Sequence, residues 1–551
     1  MTEKVRKFRI NKRTLMRDLI KHYADTLGDK IFMTFIRDFD NGIDEKYSYL
    51  DMHSYSNQLA NGLLKLGIKK GDGIALFEMN SPEFLFTVFA SYKLGTYTVL
   101  VNTGLKGDGL KFIMEHSDAT STIVHWSLLD RVMDIRDQLP QIKYIMVDTN
   151  EAPNDFTLPE GTISLQEVMK APDDEIDVEL SPDDLCMLMY TAGTTGLPKA
   201  IMFWQGKLLG GLNVQTLIGL TKLMGEPDDV IFTPLPLFHS NALFLSTHAA
   251  YMNNSPLILG KRFSASRHWD ICRKYGVTRF NTLGAMVTFL MKQPERPNDR
   301  DHEVRVVNTA ACPKELWVAF QERFGVKIAE GYGATDGGGF MLTAGGADDV
   351  PVGSLGKPLA GTIGAVMDDD GNIIEDPGKV GELVFLVRES EKENRKVGYY
   401  KDEKAAESLI QPGADGQLWF HSGDLVHKDA DGWFFFEDRK KDSIRRRGEN
   451  IASWSIENII NQHEKTLEVA AYGIKTELGE DEVMVAVVLK PGESITPEEL
   501  LDFCIGKMAD FMVPRYIRFM DELPKSKVHR VLKRELKEEG ITADTYDKEA
   551  A

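Results

Sequence analysis

Residues 190–200 read YTAGTTGLPKA, directly after the apolar run LCMLM at 185–189. The stretch holds Thr191, Thr194 and Thr195, Gly193 and Gly196, one cation, Lys199, and no acid. A surface turn would use such residues. So would a loop that wraps an anion, because glycines let the backbone approach while hydroxyls and an ammonium donate. A donor-rich, acid-free loop favours the anion. It is not a Walker A loop, which needs four residues between its first glycine and a Gly-Lys pair. Here Gly193 and Gly196 stand too close, and Lys199 follows a proline.

Strand and helix patterns alternate on either side of this loop. GIALFEM (73–79), YTVLV (97–101), STIVHW (121–126) and KYIMVD (143–148) read as buried strands before it. DVIFTPL, PLILG, VTRFNTL and RVVNTA follow after it. Tyr55, Leu59 and Leu63 share one helical face, and Ser81-Pro82 is a helix start, a capping hydroxyl ahead of proline at the first turn. Such alternation predicts parallel sheets covered by helices, an α/β fold whose ligands gather at the C-terminal ends of the strands. Past residue 350 the pattern turns β-rich, with GELVFLV (381–387) and GWFFFEDR (432–439). After the charged run at 439–450 a short αβ unit follows, in SIENIINQH, EVAAYGI, DEVMVAVVLK and TPEELLDFCIGKM. The expected organisation is a large N-terminal domain over 1–439, parallel layered sheets plus a β-rich subdomain, and a small α+β lid over 440–551.

The 551 residues exceed one core, and 42 % hydrophobic with 27 % charged is an ordinary soluble composition. A net charge of −19 argues against a general nucleic-acid binder, which needs clustered Lys and Arg. Cys186, Cys272, Cys312 and Cys504 lie far apart without a CxxC pair, which points to a reducing, cytoplasmic setting. MTEKVRKFRINKR at the start is basic with no apolar stretch behind it, so it is not a secretory signal. It reads as a solvated tail before it reads as a contact for an anionic membrane surface. No apolar run reaches the ~20 residues of a membrane span. GYGATDGGG (331–339) is no dinucleotide fingerprint, since Asp336 stands where its last glycine belongs.

YTAGTTGLPKA resembles the phosphate loop of the adenylate-forming superfamily, which includes acyl-CoA synthetases, luciferases and peptide-synthetase adenylation domains. Five further blocks resemble that family in order: PLPLFHSNAL (234–243), EGYGATD (330–336), FHSGDL (420–425), EDRKKDSIRRRGENI (437–451) and LPKSKVHRVLKRELK (523–537). The resemblance implies ATP, Mg²⁺ and coenzyme A, with a small carboxylic acid as substrate. Thr191, Gly193, Thr194, Thr195, Gly196 and Lys199 would hold the β- and γ-phosphates. Tyr332 would stack on adenine, with the backbone at Glu330, Gly331 and Gly333 along its edge. Thr335 and Asp336 would hold Mg²⁺, with aspartate in place of the family's usual glutamate. Asp424 and Arg439 would take the ribose hydroxyls, and Arg445 and Gly448 belong to the block that reaches CoA's or ATP's phosphates. Lys441 matches the hinge about which the lid swings. The family's lysine in the last block is replaced by Arg530, and Lys527 and Lys533 are its neighbours. Arg530, Lys199, Thr335 and His239 are the catalytic set the resemblance implies. His239, Asn241, Ala285, Met286, Gly337 and Gly338 would line the acyl pocket.

Amino-acid-activating members place an aspartate in the fourth block, and LFHSNAL has none; an ammonium buried there would be unpaired. No carrier-protein segment follows residue 540, so a stand-alone carboxylate–CoA ligase is expected. PLFHSNA and SIRRRGENI look most like the fatty-acyl, fatty-acid-transport-protein-like and carnitine/crotonobetaine branch, and the glycines after Asp336 suggest room for a fatty or bulky acid. Two rival readings stand beside it: an adenylating enzyme with an acceptor other than CoA, and a nucleotide-binding protein without turnover. The sequence sets no oligomeric state.

Overall fold

The computed structural model describes residues 13–191, 198–208, 228–333, 335, 341–344, 350–359, 361–388, 398–440, 444–446, 449–451, 453–475, 481–505, 507–508, 512–525 and 531–550. The chain divides into two compact units, residues 1–363 with 387–410, and residues 364–386 with 411–551.

The first unit carries two sheets. One orders the strands Ile163–Ser164, Tyr144–Asp148, Ala119–His125, Gly73–Phe77, Tyr97–Leu100, Leu185–Thr191 and Lys199–Trp204. Every pair is parallel except the last, an antiparallel hairpin. In the other, Lys327–Gly333, Val306–Ala310, Arg279–Leu283, Ile231–Thr233, Leu257–Gly260 and Ile31–Asp38 are parallel neighbours in that order. Antiparallel strands finish it at both ends, Ile43–Ser48 on one side and Met341–Thr343 with Ser354–Pro358 on the other. The strands read from the sequence are present. Ile31–Asp38 and Ile43–Ser48 had no counterpart in that reading.

Helix Pro82–Leu94 explains how the sheets join. The Ser81 hydroxyl accepts from the Phe84 N–H at 3.1 Å, Pro82 fills the first turn, and Gly95 ends the helix at φ +78°. All thirteen of its residues are buried, the charged Glu83 and Lys93 among them. One core cluster joins its Phe84 and Phe89 to Leu76 and Met187 of the first sheet and to Phe32, Leu257 and Leu259 of the second. Each such phenylalanine contributes ~1.5–3 kcal/mol of burial. In the preceding helix, Tyr49–Lys65, Leu59 and Leu63 are buried, whereas Tyr55 stays 37 % exposed and stacks on Phe86. The buried Asn80 then locks the two sheets' C-terminal edges. Its Nδ2 donates to the Leu235 and Gly260 carbonyls at 2.9 Å each, and its Oδ1 accepts from the Leu237 N–H at 2.8 Å.

The second unit holds an antiparallel sheet in the order Gly364–Met367, Gly381–Leu386, Leu418–Lys428, Phe434–Arg439. It also holds a four-stranded sheet of Thr466–Lys475, Asp481–Leu489, Tyr516–Phe519 and Tyr546–Asp547. Strand Asp481–Leu489 is buried on both faces. Val483, Val485 and Val487 pack with Ile456 and Leu500 of helices Ser453–Asn461 and Pro497–Cys504, while Met484, Ala486 and Val488 pack with Leu536 of helix Lys533–Glu539. A capping box of Thr496 and Glu499 with Pro497 behind Thr496 starts the middle helix, as TPEE spells out. The four cysteines are free and buried. Among the described residues no helix is long and apolar enough to cross a membrane.

Candidate functional site

The opening stretch begins and ends in two antiparallel paired strands, Leu185–Thr191 and Lys199–Trp204. Strand Leu185–Thr191 runs parallel to Tyr97–Leu100, so it delivers residue 191 to the C-terminal edge of the sheet. The chain returns antiparallel with Thr191 opposite Lys199, and the Thr191 hydroxyl donates to the Lys199 carbonyl at 3.4 Å. Gly193, Thr194, Thr195 and Gly196 lie outside the described residues. Lys199 is half-buried, and no carboxylate among the described residues pairs with it. Its Nζ sits 5.0 Å from the centroid of the Tyr399 ring. Residues 398–401 are laid along the return strand: Tyr399 bridges Ile201, and the Tyr400 N–H donates to the Ala200 carbonyl at 2.8 Å. Asp118 anchors their far end, accepting from the Tyr400 hydroxyl at 2.8 Å and the Lys401 ammonium at 2.7 Å. Tyr399 was not a candidate in the sequence; GYYK at 398–401 carries no spacing that marks it.

The second sheet builds a wall at its own C-terminal edge. Glu330 is 2 % exposed, and its carboxyl group accepts from the Ala311 N–H at 2.6 Å and the Cys312 N–H at 3.2 Å. Burial pushes its pKa up to about 8 against the lowering pull of those two N–H groups. The turn it holds is strained, with Ala311 at φ +62°. Gly284 closes on the same turn, where an added Cβ would lie 1.9 Å from the Ala311 carbonyl oxygen. Tyr332 follows, half-buried and paired with Leu342. A Cβ at Gly331 would make ordinary van der Waals contact with the Leu342 carbonyl oxygen at 3.7 Å. The sequence pointed to Glu330 for its backbone; the side chain is what fixes the neighbouring loop.

Two distant blocks meet here. The Thr335 hydroxyl lies 3.3 Å from that of Ser240, so EGYGAT and PLFHSNA share one location. His239 is exposed yet surrounded closely enough that desolvation lowers its pKa, as on a concave wall. Its ring lies 4.5 Å from that of Phe238. An eight-residue π-helix, Asn241–His248, begins two residues on. Asn241 accepts from Asn281 Nδ2 at 3.0 Å, and Asn281 accepts from Asn308 Nδ2 at 2.9 Å. Ala285 is exposed, as are Leu283 (43 %) and Phe289 (51 %). Met286 turns the other way, into the core cluster.

In the second unit, Asp424 is buried opposite Arg439 across two antiparallel strands. Gly423 adopts φ +71° within the strand Leu418–Lys428, and Glu382 braces it. The Glu382 carboxylate accepts from the Gly423 N–H at 3.0 Å and from Lys440 and His421 at 3.1 Å each. Burial works to raise its pKa, but the His421 hydrogen bond and the nearby charges outweigh that and hold it below the ordinary value. Lys533 is committed elsewhere, paired at 2.7 Å with Glu457. Arg446 is likewise committed: it is buried and pairs with Glu482 at 2.6 Å. Asp336, Gly337, Gly338, Lys441, Gly448, Lys527 and Arg530 lie outside the described residues, as do the side chains of Arg439 and Arg445.

Comparison with known proteins agrees in extent and fold. Residues 20–388 match the AMP-binding enzyme family, and residues 455–530 match the AMP-binding enzyme C-terminal domain. A crotonobetaine/carnitine–CoA ligase of Salmonella typhi is 30 % identical over 534 residues, covering 95 % of this chain and 98 % of that one. The long-chain fatty acid transport protein 6 of Mus musculus is 30 % identical over 518 residues, covering 90 % and 81 %. Among solved structures, an anthranilate CoA ligase in complex with anthranoyl-AMP superposes with a TM-score of 0.81 at 22 % identity, covering 97 % and 98 %. The o-succinylbenzoate CoA synthetase of Bacillus subtilis with ATP and magnesium ion gives 0.76 at 23 %, covering 94 % and 99 %. With two-thirds of its length in the first match, the chain belongs to the AMP-binding enzyme family, the adenylate-forming enzymes.

Proposed function

We propose that this AMP-forming acid–CoA ligase joins a fatty or bulky hydrophobic acid to ATP as the acyl-adenylate and then passes the acyl group to CoA. The observation that carries the reading is the meeting of Ser240 and Thr335, which sets the block assigned to the acid against the block assigned to the nucleotide. Exposed Leu283, Ala285 and Phe289 give that neighbourhood an apolar wall. PLFHSNAL brings no carboxylate that would pair an amino group. The relatives named for crotonobetaine, carnitine and long-chain fatty acids support a CoA ligase of this branch.

The donor set suits ATP. Lys199 offers an ammonium that no carboxylate among the described residues pairs with, and Thr335 a hydroxyl. Among the described residues no three carboxyl, imidazole or thiol groups converge on a metal site. A Mg²⁺ held here would draw on phosphate oxygens with Thr335 and Asp336, in keeping with its preference for few protein ligands. When bound it would neutralise phosphate charge. The chain's own work is then positional: Lys199 and the threonines hold the leaving phosphates, Tyr332 the adenine, Asp424 and Arg439 the ribose. His239 closes the acid's side, and Arg530 supplies the cation that the family draws from a lysine. Residues 440–551 act as a lid that swings about Lys441 between the two half-reactions; the separate match at 455–530 supports this division.

Incubation with ATP, CoA and a panel of acids tests the reading. Acid-dependent AMP release that requires CoA and yields a thioester is expected. Pyrophosphate exchange without thioester would move the acceptor away from CoA, and ATP binding without AMP release would remove the activity.

A further inference from the structure

We infer that the acid this ligase activates carries a hydroxyl or oxo group along its chain, and that Asn241 is the residue that recognises it. The inference rests on the ligase reading above and names its substrate class.

The argument starts from strand register. Asn281 and Leu283 point to one face of their strand, Asn308 and Ala310 to the same face of the next, and the two pairs lie side by side. The opposite face carries Phe280 and Val307 into a core with Trp317 and Phe320. Leu283 is 43 % exposed at the edge of the site, so Asn281 lies two residues, roughly 7 Å, beneath that rim. An acyl chain entering past Leu283 and Ala285 would run toward this level.

An apolar floor would suit a plain hydrocarbon. Beneath the rim stand instead three carboxamides in line, with Asn308 donating to Asn281 at 2.9 Å and Asn281 to Asn241 at 3.0 Å. Asn281 is only 4 % exposed, and buried amides are retained at a cost unless bonded. The line runs one way and polarises its last member. Asn241 spends its Oδ1 on Asn281 and is half-buried, and its Nδ2 donates to no protein acceptor among the described residues. It stands at the mouth of the π-helix, a widened turn often found at functional sites. A ladder that served only to tie strands together would need no donor left over, among the described residues, at its open end. A hydroxyl or oxo oxygen on the bound acid completes it.

The test uses the intact enzyme with ATP, CoA and matched acids in which one CH₂ becomes CHOH or C=O at successive distances from the carboxyl group. All members share the carboxylate, so a contact with that group cancels. At one position the oxygenated acid should exceed its parent in kcat/KM by about tenfold or more, because a site built to bond an oxygen is left unpaired without it. Asn241→Leu should bring that ratio near one, by loss on the oxygenated member. Asn241→Ala serves if the larger residue does not fold, and the wild-type ratios decide without either. Thioester formation with ratios near one at every position overturns the inference and leaves the ligase reading intact. A ratio retained in the Asn241 variants also overturns it. Absence of thioester with every acid overturns both.

Discussion

The Lys199 ammonium lies 5.0 Å from the centre of the Tyr399 ring, on a segment that Asp118 ties to the first sheet. A ring face attracts a cation without neutralising it, so the ammonium is held in place and still available to phosphate. Tyr399→Leu should therefore raise KM for ATP about two- to thirtyfold, the range of such contacts, with kcat changed less. Tyr399→Phe keeps the ring face and should restore the wild-type value. Lys199→Ala should weaken ATP use roughly ten- to a hundredfold through its lost charge-assisted contact. In a Lys199→Met background Tyr399→Leu should add nothing to KM. Additive effects would show that the tyrosine acts through packing alone.

Gly284 is the tightest of the described glycines. A Cβ there meets the Ala311 carbonyl oxygen at 1.9 Å, and backbone cannot yield as a side-chain tip does. Gly284→Ala should destabilise the protein by about 1–3 kcal/mol, as overpacking does. It should also raise KM for ATP, because the displaced turn is the one that Glu330 holds beside Tyr332. Urea unfolding at unchanged midpoint would show that the turn moves freely.

Much of this was legible in the sequence, and the limits have physical causes. Strands such as 73–79 and 143–148 show as continuous apolar runs because parallel strands are buried on both faces. Ser81-Pro82 and TPEE announce helix starts through local chemistry, and local chemistry needs no partner. Ile31–Asp38 escaped because its neighbour, Leu257–Gly260, is supplied from far along the chain. The ladder of Asn281 and Asn308 escaped for the same reason: the two are 27 residues apart and meet only through register. Glu330 was seen as part of a block, but its clamp on Ala311 depends on a turn nineteen residues away. Asn80 carries no spacing that marks it, because its three partners at 235, 237 and 260 come from far along the chain.

The Glu330 carboxyl should leave a mark on the pH dependence of stability. Its folded pKa is raised from 4.5 to about 8 by burial, so the folded state keeps the proton where the unfolded chain has lost it. A raised pKa gives stability that is full below about 4.5 and is lost as pH rises through about 8. Glu83 is raised to about 8 as well, so the difference between proteins is the quantity to read. Wild type should lose Tm between pH 5 and 9 more steeply than Glu330→Gln, which keeps an acceptor and cannot ionise. Parallel curves would mean that Glu330 is already ionised in the folded protein.

Lys441→Pro should separate the two half-reactions. Proline fixes φ near −65° and resists the dihedral change of a hinge. Adenylate formation should survive while thioester formation falls severely. An equal fall in both steps would take the hinge away from residue 441.

Arg530 stands where the family's last block has lysine, and its guanidinium keeps the charge on a bulkier, planar fork. Lys533, the nearest described alternative, is bound to Glu457 in the second unit and so is poorly placed to substitute. If Arg530 orients the carboxylate and counters charge as the α-phosphorus is attacked, Arg530→Ala should slow adenylation by ~10²–10³, the usual loss for one preorganised donor. It should spare thioester formation from a supplied acyl-adenylate, since the swung lid would carry residue 530 away before the thiol arrives. Arg530→Lys should retain activity or raise it. Lys533→Ala should act differently, lowering Tm by freeing Glu457, whose pKa burial already pushes up, while leaving the ratio of the two half-reactions unchanged. Normal adenylation by Arg530→Ala, with loss in Lys527→Ala instead, would shift the catalytic cation by three residues.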